Sequence, residues 1–179
     1  MRTVSRPATG ATVLAAALAL SACGSPETTG TDHSDDGGGP TADSASALDF
    51  TTTTVDGADF SGAELEGTPA VLWFWAPWCT VCQGEAGTIA EAAERHADRV
   101  EFYGVPGRGD VPEMEEFVSD TGTDRMTHLV DEDGAIWSGF EVTGQPALTL
   151  LRSDGTFHTV PGTVSADDID THIDEQLDV

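Results

Sequence analysis

The chain has 179 residues, with seven arginines, no lysine and 32 acidic residues, giving a formal charge of −25 at pH 7. That length fits one ordinary domain plus a tail and leaves no room for a multidomain enzyme. So few cations cannot neutralise a nucleic-acid backbone or an anionic bilayer, which excludes DNA, RNA and polybasic membrane binding. The 39% of hydrophobic residues supply material for a packed core.

Residues 1–22 have the three-part form of an export signal: Arg2 and Arg6, the ten-residue apolar run Ala11 to Leu20, and the small residues Ser21 and Ala22 before Cys23. A span of about 30 Å of hydrocarbon needs roughly 20 apolar residues, so a cleaved signal is expected rather than a transmembrane anchor. Leu20-Ser21-Ala22-Cys23 resembles the lipobox of bacterial lipoproteins, which implies that Cys23 becomes an acylated N-terminus. Ordinary cleavage would leave Cys23 a stray thiol. After either cut, five arginines face 32 acidic residues.

Residues 23–47 read as a tether. They hold no aromatic side chain and contain Gly37-Gly38-Gly39-Pro40, too little apolar surface to offset the entropy of ordering. His33 with Asp32, Asp35 and Asp36 is read there as a solvated cluster rather than a metal site.

Residues 48–179 alternate strand-like and helix-like patterns. Phe50 to Phe60 turns at Asp56-Gly57 as a hairpin, and Ser61-Gly62-Ala63-Glu64 caps a short helical turn. Ala70 to Trp75 is apolar without alternation, as a strand covered on both faces must be. A helix is expected from Thr80 to Ala97, with Ile89, Ala93 and Ala97 inward, followed by a strand from Val100 to Val105. Asp110-Val111-Pro112-Glu113 opens a helix with Met114, Phe117 and Val118 on its apolar face. Leu148 to Leu151 and Thr156 to Val160 pair across Ser153-Asp154-Gly155. Ser165 starts a last helix that buries Ile169, Ile173 and Leu177. This order predicts an α/β domain, with a mixed central sheet, helices on both faces and an N-terminal hairpin.

Two cysteines fall in that domain, in Trp78-Cys79-Thr80-Val81-Cys82, where the buried strand turns into a helix. A structural staple is a weak reading, because closing four residues stabilises by only about 2 kcal/mol against roughly 3 for a 15-residue loop. Redox exchange has a direct mechanism. The unsatisfied N–H groups and positive dipole of the first helical turn stabilise a thiolate at Cys79, while Cys82 one turn later resolves a mixed disulfide. Zinc needs about two more N/S ligands, and His96, His128, His158 and His172 lack ligand spacing; they read as surface residues. Two soft thiolates suit Cu(I) better than zinc, so a copper carrier stays among the alternatives.

The stretch from Trp73 to Ala86, Trp-Phe-Trp-Ala-Pro-Trp-Cys-Thr-Val-Cys-Gln-Gly-Glu-Ala, closely resembles the active-site segment of thioredoxin-like proteins. It is most similar to extracytoplasmic Dsb-type and TlpA-like lipoproteins, and Gly144-Gln145-Pro146 before a strand is the second anchor of the resemblance. The resemblance implies a thioredoxin-like fold from residue 48 to the end. It implies Cys79 as nucleophile, Cys82 as resolving thiol, and Gln145 with a cis Pro146 as the turn that binds a client peptide. It also implies that Glu85 manages the resolving proton, although an acid within the first turns of a helix can equally serve its dipole. Trp78 would offer apolar contact to a client, while Trp75 suits core packing as well as catalysis.

Four positions depart from the pattern. Trp73 stands where cytosolic thioredoxins carry a buried acid, Thr80-Val81 lacks the intervening His or Pro of some relatives, and Gly87 replaces a common Pro. The expected function is a thiol:disulfide oxidoreductase, without cofactor or metal, lipid-anchored on the extracytoplasmic face of the bacterial cell membrane. Its partners would be cysteine-containing exported proteins and a membrane redox partner, with the lipid as its one membrane contact. The resemblance favours an oxidant. The alternatives are a reductant for c-type cytochrome maturation and a non-catalytic Cu(I) carrier. A peroxidase is disfavoured because Ala76 occupies the place of the Thr that such sites want three residues before the cysteine.

Overall fold

The computed structural model describes residues 47–177 and 179. A two-stranded antiparallel hairpin, β1 (Thr51–Thr53) and β2 (Asp59–Ser61), leads into a 3-10 turn at Gly62–Leu65. The main sheet contains β3 (Ala70–Trp75), β4 (Glu101–Pro106), β5 (Thr127–His128), β6 (Ala147–Leu151) and β7 (Phe157–Pro161) in the order β5-β4-β3-β6-β7. The helices are α1 (Thr80–His96), α2 (Val111–Thr121), α3 (Ala135–Gly139) and α4 (Ala166–Gln176). β3 runs parallel to β4, with α1 as the crossover, and antiparallel to β6, so the sheet is mixed.

β3 lies at the centre and all six of its residues are buried. Its pleat divides them between two cores. Val71, Trp73 and Trp75 pack with Ile89 of α1, Phe117 of α2 and Ile169 of α4. Leu72 and Phe74 pack on the other face with Trp137 of α3, Phe140, and Ala47 and Leu48 from the start of the described chain. The sheet is therefore covered by helices on both faces, as the sequence predicted. An apolar run without alternation has one stable home, a strand with protein on either side.

Three starts are set by side chains that satisfy otherwise orphaned N–H groups. Ser61, Asp110 and Ser165 each form a capping box, with Glu64, Glu113 and Asp168 respectively. Each such cap is worth about 1 kcal/mol.

Other expectations need correction. The buried stripe of α1 runs through Cys82, Glu85, Ala86, Ile89, Ala92 and His96, while Ala93 is half-buried and Ala97 exposed. Residues 82, 85, 86, 89, 92 and 96 follow a 3.6-residue period, whereas a strict spacing of four drifts off the face. His96 and His128 are buried rather than on the surface. His96 Nε2 donates to Asp170 Oδ1 at 2.7 Å while Arg99 donates to its Nδ1 at 3.0 Å, so both ring nitrogens are satisfied. His128 Nε2 donates to the Thr123 carbonyl at 3.0 Å, and its ring lies edge-on to Trp75. Gly104 makes room for these rings, because a Cβ there would come within 2.8 Å of Trp75 Nε1.

β5 and α3 are additions to the predicted order. α3 has no cap of its own. Asp131 instead accepts from the Ile136 and Trp137 amides at 3.2 and 2.8 Å. No helix among the described residues is long and apolar enough to cross a membrane.

Candidate functional site

The C-terminal ends of β3 and β4 and the start of β6 meet at one end of the sheet's inner strands. Trp75 pairs with Pro106, and Phe74 with Ala147. The chain leaves β3 through Ala76-Pro77-Trp78 and enters α1 at Cys79, its N-cap residue. The carboxyl ends of open α/β sheets collect loops and helix starts, the usual place for a ligand or reacting group.

Cys79 Sγ and Cys82 Sγ form a disulfide, with Cα atoms 5.2 Å apart. Cys79 Sγ also accepts from the Cys82 amide at 3.1 Å, so the sulfur occupies the place that a Ser or Asp oxygen fills at the other helix starts. Cys79 keeps 6% of its surface exposed and Cys82 none. Of the two cysteines, Cys79 is therefore the one that retains contact with solvent. Around Cys79 stand Trp78 and Val81, 59% and 52% exposed, apolar side chains that the core does not use.

Behind the pair, Glu85 is buried on α1 one turn after Cys82. The indole Nε1 of Trp73 donates to Glu85 Oε1 at 2.8 Å, and Oε2 has no hydrogen-bond partner among the described residues. Burial pushes the carboxyl above the ordinary glutamate range, opposed by the indole hydrogen bond. Trp73, the departure noted in the sequence, thus orients a buried acid from a neighbouring element.

The Gln145–Pro146 peptide bond is cis. Pro146 is buried and Gln145 half-buried at the start of β6. Sequence reasoning missed the residue that connects this turn to the cysteine loop. Arg108 donates from Nη1 to Gln145 Oε1 at 2.9 Å and from Nη2 to the Thr143 carbonyl at 3.1 Å. Its own carbonyl accepts from Trp78 Nε1 at 2.7 Å. The available signal was Gly107-Arg108-Gly109, a lone cation between glycines just after a strand. At Gly109 a Cβ would run into the ring of Pro77, with Cδ at 2.9 Å, so the loop approaches the cysteine segment as only glycine permits.

Among the described residues no group of three or more His, Cys, Asp or Glu side chains is gathered to hold a metal ion. Cys23 and the His33 cluster lie outside the described residues.

Residues 44–167 match the AhpC/TSA family model. The chain belongs to the AhpC/TSA family. Within it, the chain is 47% identical over 109 residues to the soluble secreted antigen MPT53 of Mycobacterium tuberculosis, a match covering 61% of this chain and 62% of that protein. The chain thus spans about 62% of the length of this curated relative. Among solved structures it is similar to MTB dsbF, captured in mixed oxidized and reduced forms, at 43% identity and a TM-score of 0.69, covering 72% of this chain and 96% of that one. It is also similar to a secreted Mycobacterium tuberculosis disulfide oxidoreductase homologous to E. coli DsbE, at 41% identity and a TM-score of 0.66, with the same coverage. The fold is thioredoxin-like, with the hairpin β1–β2 preceding its mixed sheet.

Proposed function

We propose that this AhpC/TSA family member is an extracytoplasmic thiol:disulfide oxidoreductase that passes the Cys79–Cys82 disulfide to cysteines of exported proteins. The observation that carries this reading is the asymmetry of the bonded pair: Cys79 caps a helix between two exposed apolar side chains, and Cys82 is sealed behind it. A client thiolate attacks Cys79 Sγ, the intramolecular S–S bond breaks, and Cys82 leaves as a thiolate. A second client thiolate then attacks the client sulfur of the mixed disulfide and expels Cys79 as a thiolate. The client gains a disulfide, and its two electrons remain on the Cys79–Cys82 dithiol.

Glu85 is the proposed proton donor to the departing Cys82 sulfur. It is the buried acid on the same helix, and burial favours its protonated form. Trp78 and the Gln145-Pro146 turn are the proposed client contacts. The helix N-terminus stabilises the Cys79 thiolate, which favours the reduced form and so makes the disulfide an oxidant. Similarity to the secreted mycobacterial disulfide oxidoreductase supports the reaction class.

In the full chain, residues 1–22 act as an export signal, 23–47 as a tether acylated at Cys23, and 48–179 as the domain. The membrane redox partner reoxidises the pair. Cys23→Ala should release the protein from membranes into the soluble fraction; continued tight attachment overturns the lipid tether.

Refolding of a reduced, scrambled substrate tests the exchange. Activity is expected in the full chain and should vanish in Cys79→Ser; full activity in that variant overturns the proposal. Equilibration with glutathione buffers reads the direction. A potential near −120 mV, roughly that of a strong oxidant, is expected, whereas one near about −270 mV assigns the reductant role. Stoichiometric Cu(I) binding with little exchange would replace both with a carrier.

A further inference from the structure

We propose that Arg108 is a positioning residue for client capture, holding the cysteine loop and the Gln145-Pro146 turn at a fixed separation. This rests on the thiol exchange proposed above and adds what sets the width of the client channel. The cysteine loop contributes Trp78, whose indole Nε1 is held by the Arg108 carbonyl at 2.7 Å. The turn contributes Thr143 and Gln145, whose oxygens are held by the guanidinium at 3.1 and 2.9 Å. One residue therefore bonds to both walls, by its backbone on one side and its side chain on the other.

Three features show that this placement is enforced. Arg108 has φ +60°, a left-handed conformation that non-glycine residues seldom adopt and that persists where surrounding contacts over-determine it. The guanidinium carbon lies 4.7 Å from the ring centroid of Trp137, a cation–π stack that fixes the plane of the fork. Trp137 is itself buried and hydrogen-bonded. Its Nε1 donates to the Val105 carbonyl at 3.1 Å and its amide to Asp131 Oδ2 at 2.8 Å. Acidic side chains line the adjoining cleft of about 500 Å³, yet the fork's hydrogen bonds go to a neutral amide oxygen and a neutral carbonyl. Two parallel N–H donors on a planar group specify the distance and angle of what they hold, as a lysine ammonium does not.

The consequence is specific to polypeptide substrates. A client must lie between Trp78 and the turn, so loosening one wall weakens its binding while leaving the bond exchange between sulfurs unchanged. The test compares the full-length wild type with R108A, R108G and R108K, using a reduced synthetic peptide containing two cysteines. R108G is the decisive variant. Glycine accepts φ +60° freely, so the carbonyl bond to Trp78 persists and the side chain alone is removed.

In R108A and R108G, KM for the peptide is expected to rise about tenfold, the equivalent of one hydrogen bond to a charged group, with kcat unchanged. R108K is expected to recover less than half of that loss. The equilibrium constant of the Cys79–Cys82 pair with glutathione should stay within about twofold of wild type. Wild-type KM in both R108A and R108G overturns the inference, as does a shift in the glutathione equilibrium that tracks the loss of activity. A wild-type protein that leaves the peptide unoxidised and an oxidised peptide unreduced overturns the exchange reading and this inference together.

Discussion

The two ends of α1 are built on opposite principles. Its N-terminal end carries a sulfur as its cap, is flanked by exposed Trp78 and Val81, and has no acidic residue in its first turn. Its C-terminal end carries Arg95, His96 and Arg99, which meet Asp170 and Asp174 of α4 at 2.7 to 3.1 Å. Cations also suit the negative end of the helix dipole. In the proposed exchange the open end changes covalent partners while the other end stays tied to α4. Reactivity and anchoring are thus separated by about 17 residues of one helix.

Substitutions at the two ends should produce different kinds of damage. Cys79→Ser is expected to reduce exchange to background. Its stability should fall by at most about 2 kcal/mol, the limit for closing so short a loop; calorimetry alongside the refolding assay checks both parts. Between the ends, Glu85→Gln should slow exchange by about a hundredfold, the lower limit for a lost proton donor, while its stability responds to pH in a defined direction. Because burial raises the Glu85 carboxyl in the folded chain, the native state binds this proton more tightly than the unfolded state. Stability from Glu85 is therefore present below the ordinary glutamate value of about 4.3 and lost as pH rises through the raised value. Glu85→Gln should match wild type near pH 4 and exceed it at pH 8. Equal stability curves across that range would remove the buried acid from the mechanism.

At the anchoring end the damage should be structural. His96→Ala removes a buried ring bonded through both nitrogens and is expected to cost about 2 kcal/mol, with the glutathione equilibrium unchanged. Urea unfolding should show a lower midpoint with the same slope. His128 gives a second pH signature. Burial lowers its pKa despite the Thr123 carbonyl, so its contribution is present above about 6.5 and is lost as pH falls through the lowered value.

Much of this arrangement was legible because it is local. β3 follows from six consecutive apolar residues. Ser61, Asp110 and Ser165 announce helix starts through an acid three positions later, and the cysteine pair lies at a strand-to-helix junction. What escaped depends on partners distant in sequence. β5 has two residues and α3 five, and α3 borrows its cap from Asp131 upstream. His96 is satisfied by Asp170, 74 residues away, so its polarity suggested a surface that it does not occupy. In sequence Glu85 suits a dipole partner and a proton carrier equally, and its burial against Trp73 cannot be inferred from either residue alone. In the sequence Arg108 is one of few cations in an acidic chain, and its role depends on the Thr143 and Gln145 oxygens, 35 and 37 residues away.

The smallest expected effect separates charge from burial. Arg125 pairs with Glu94 near the same anchored end of α1, but the two side chains are 78% and 60% exposed. Water screens such a pair, and two long side chains lose rotamer freedom in forming it, so Arg125→Ala should cost at most about 0.5 kcal/mol and nothing measurable in 1 M salt. His96→Ala should keep its full cost at that salt concentration, since its contacts to Asp170 and Arg99 include a ring withdrawn from solvent. If the two substitutions proved equally costly and equally salt-sensitive, the anchor would be a general attraction between a basic helix end and an acidic neighbour. A large, salt-resistant cost at His96 alone assigns the anchor to the buried ring.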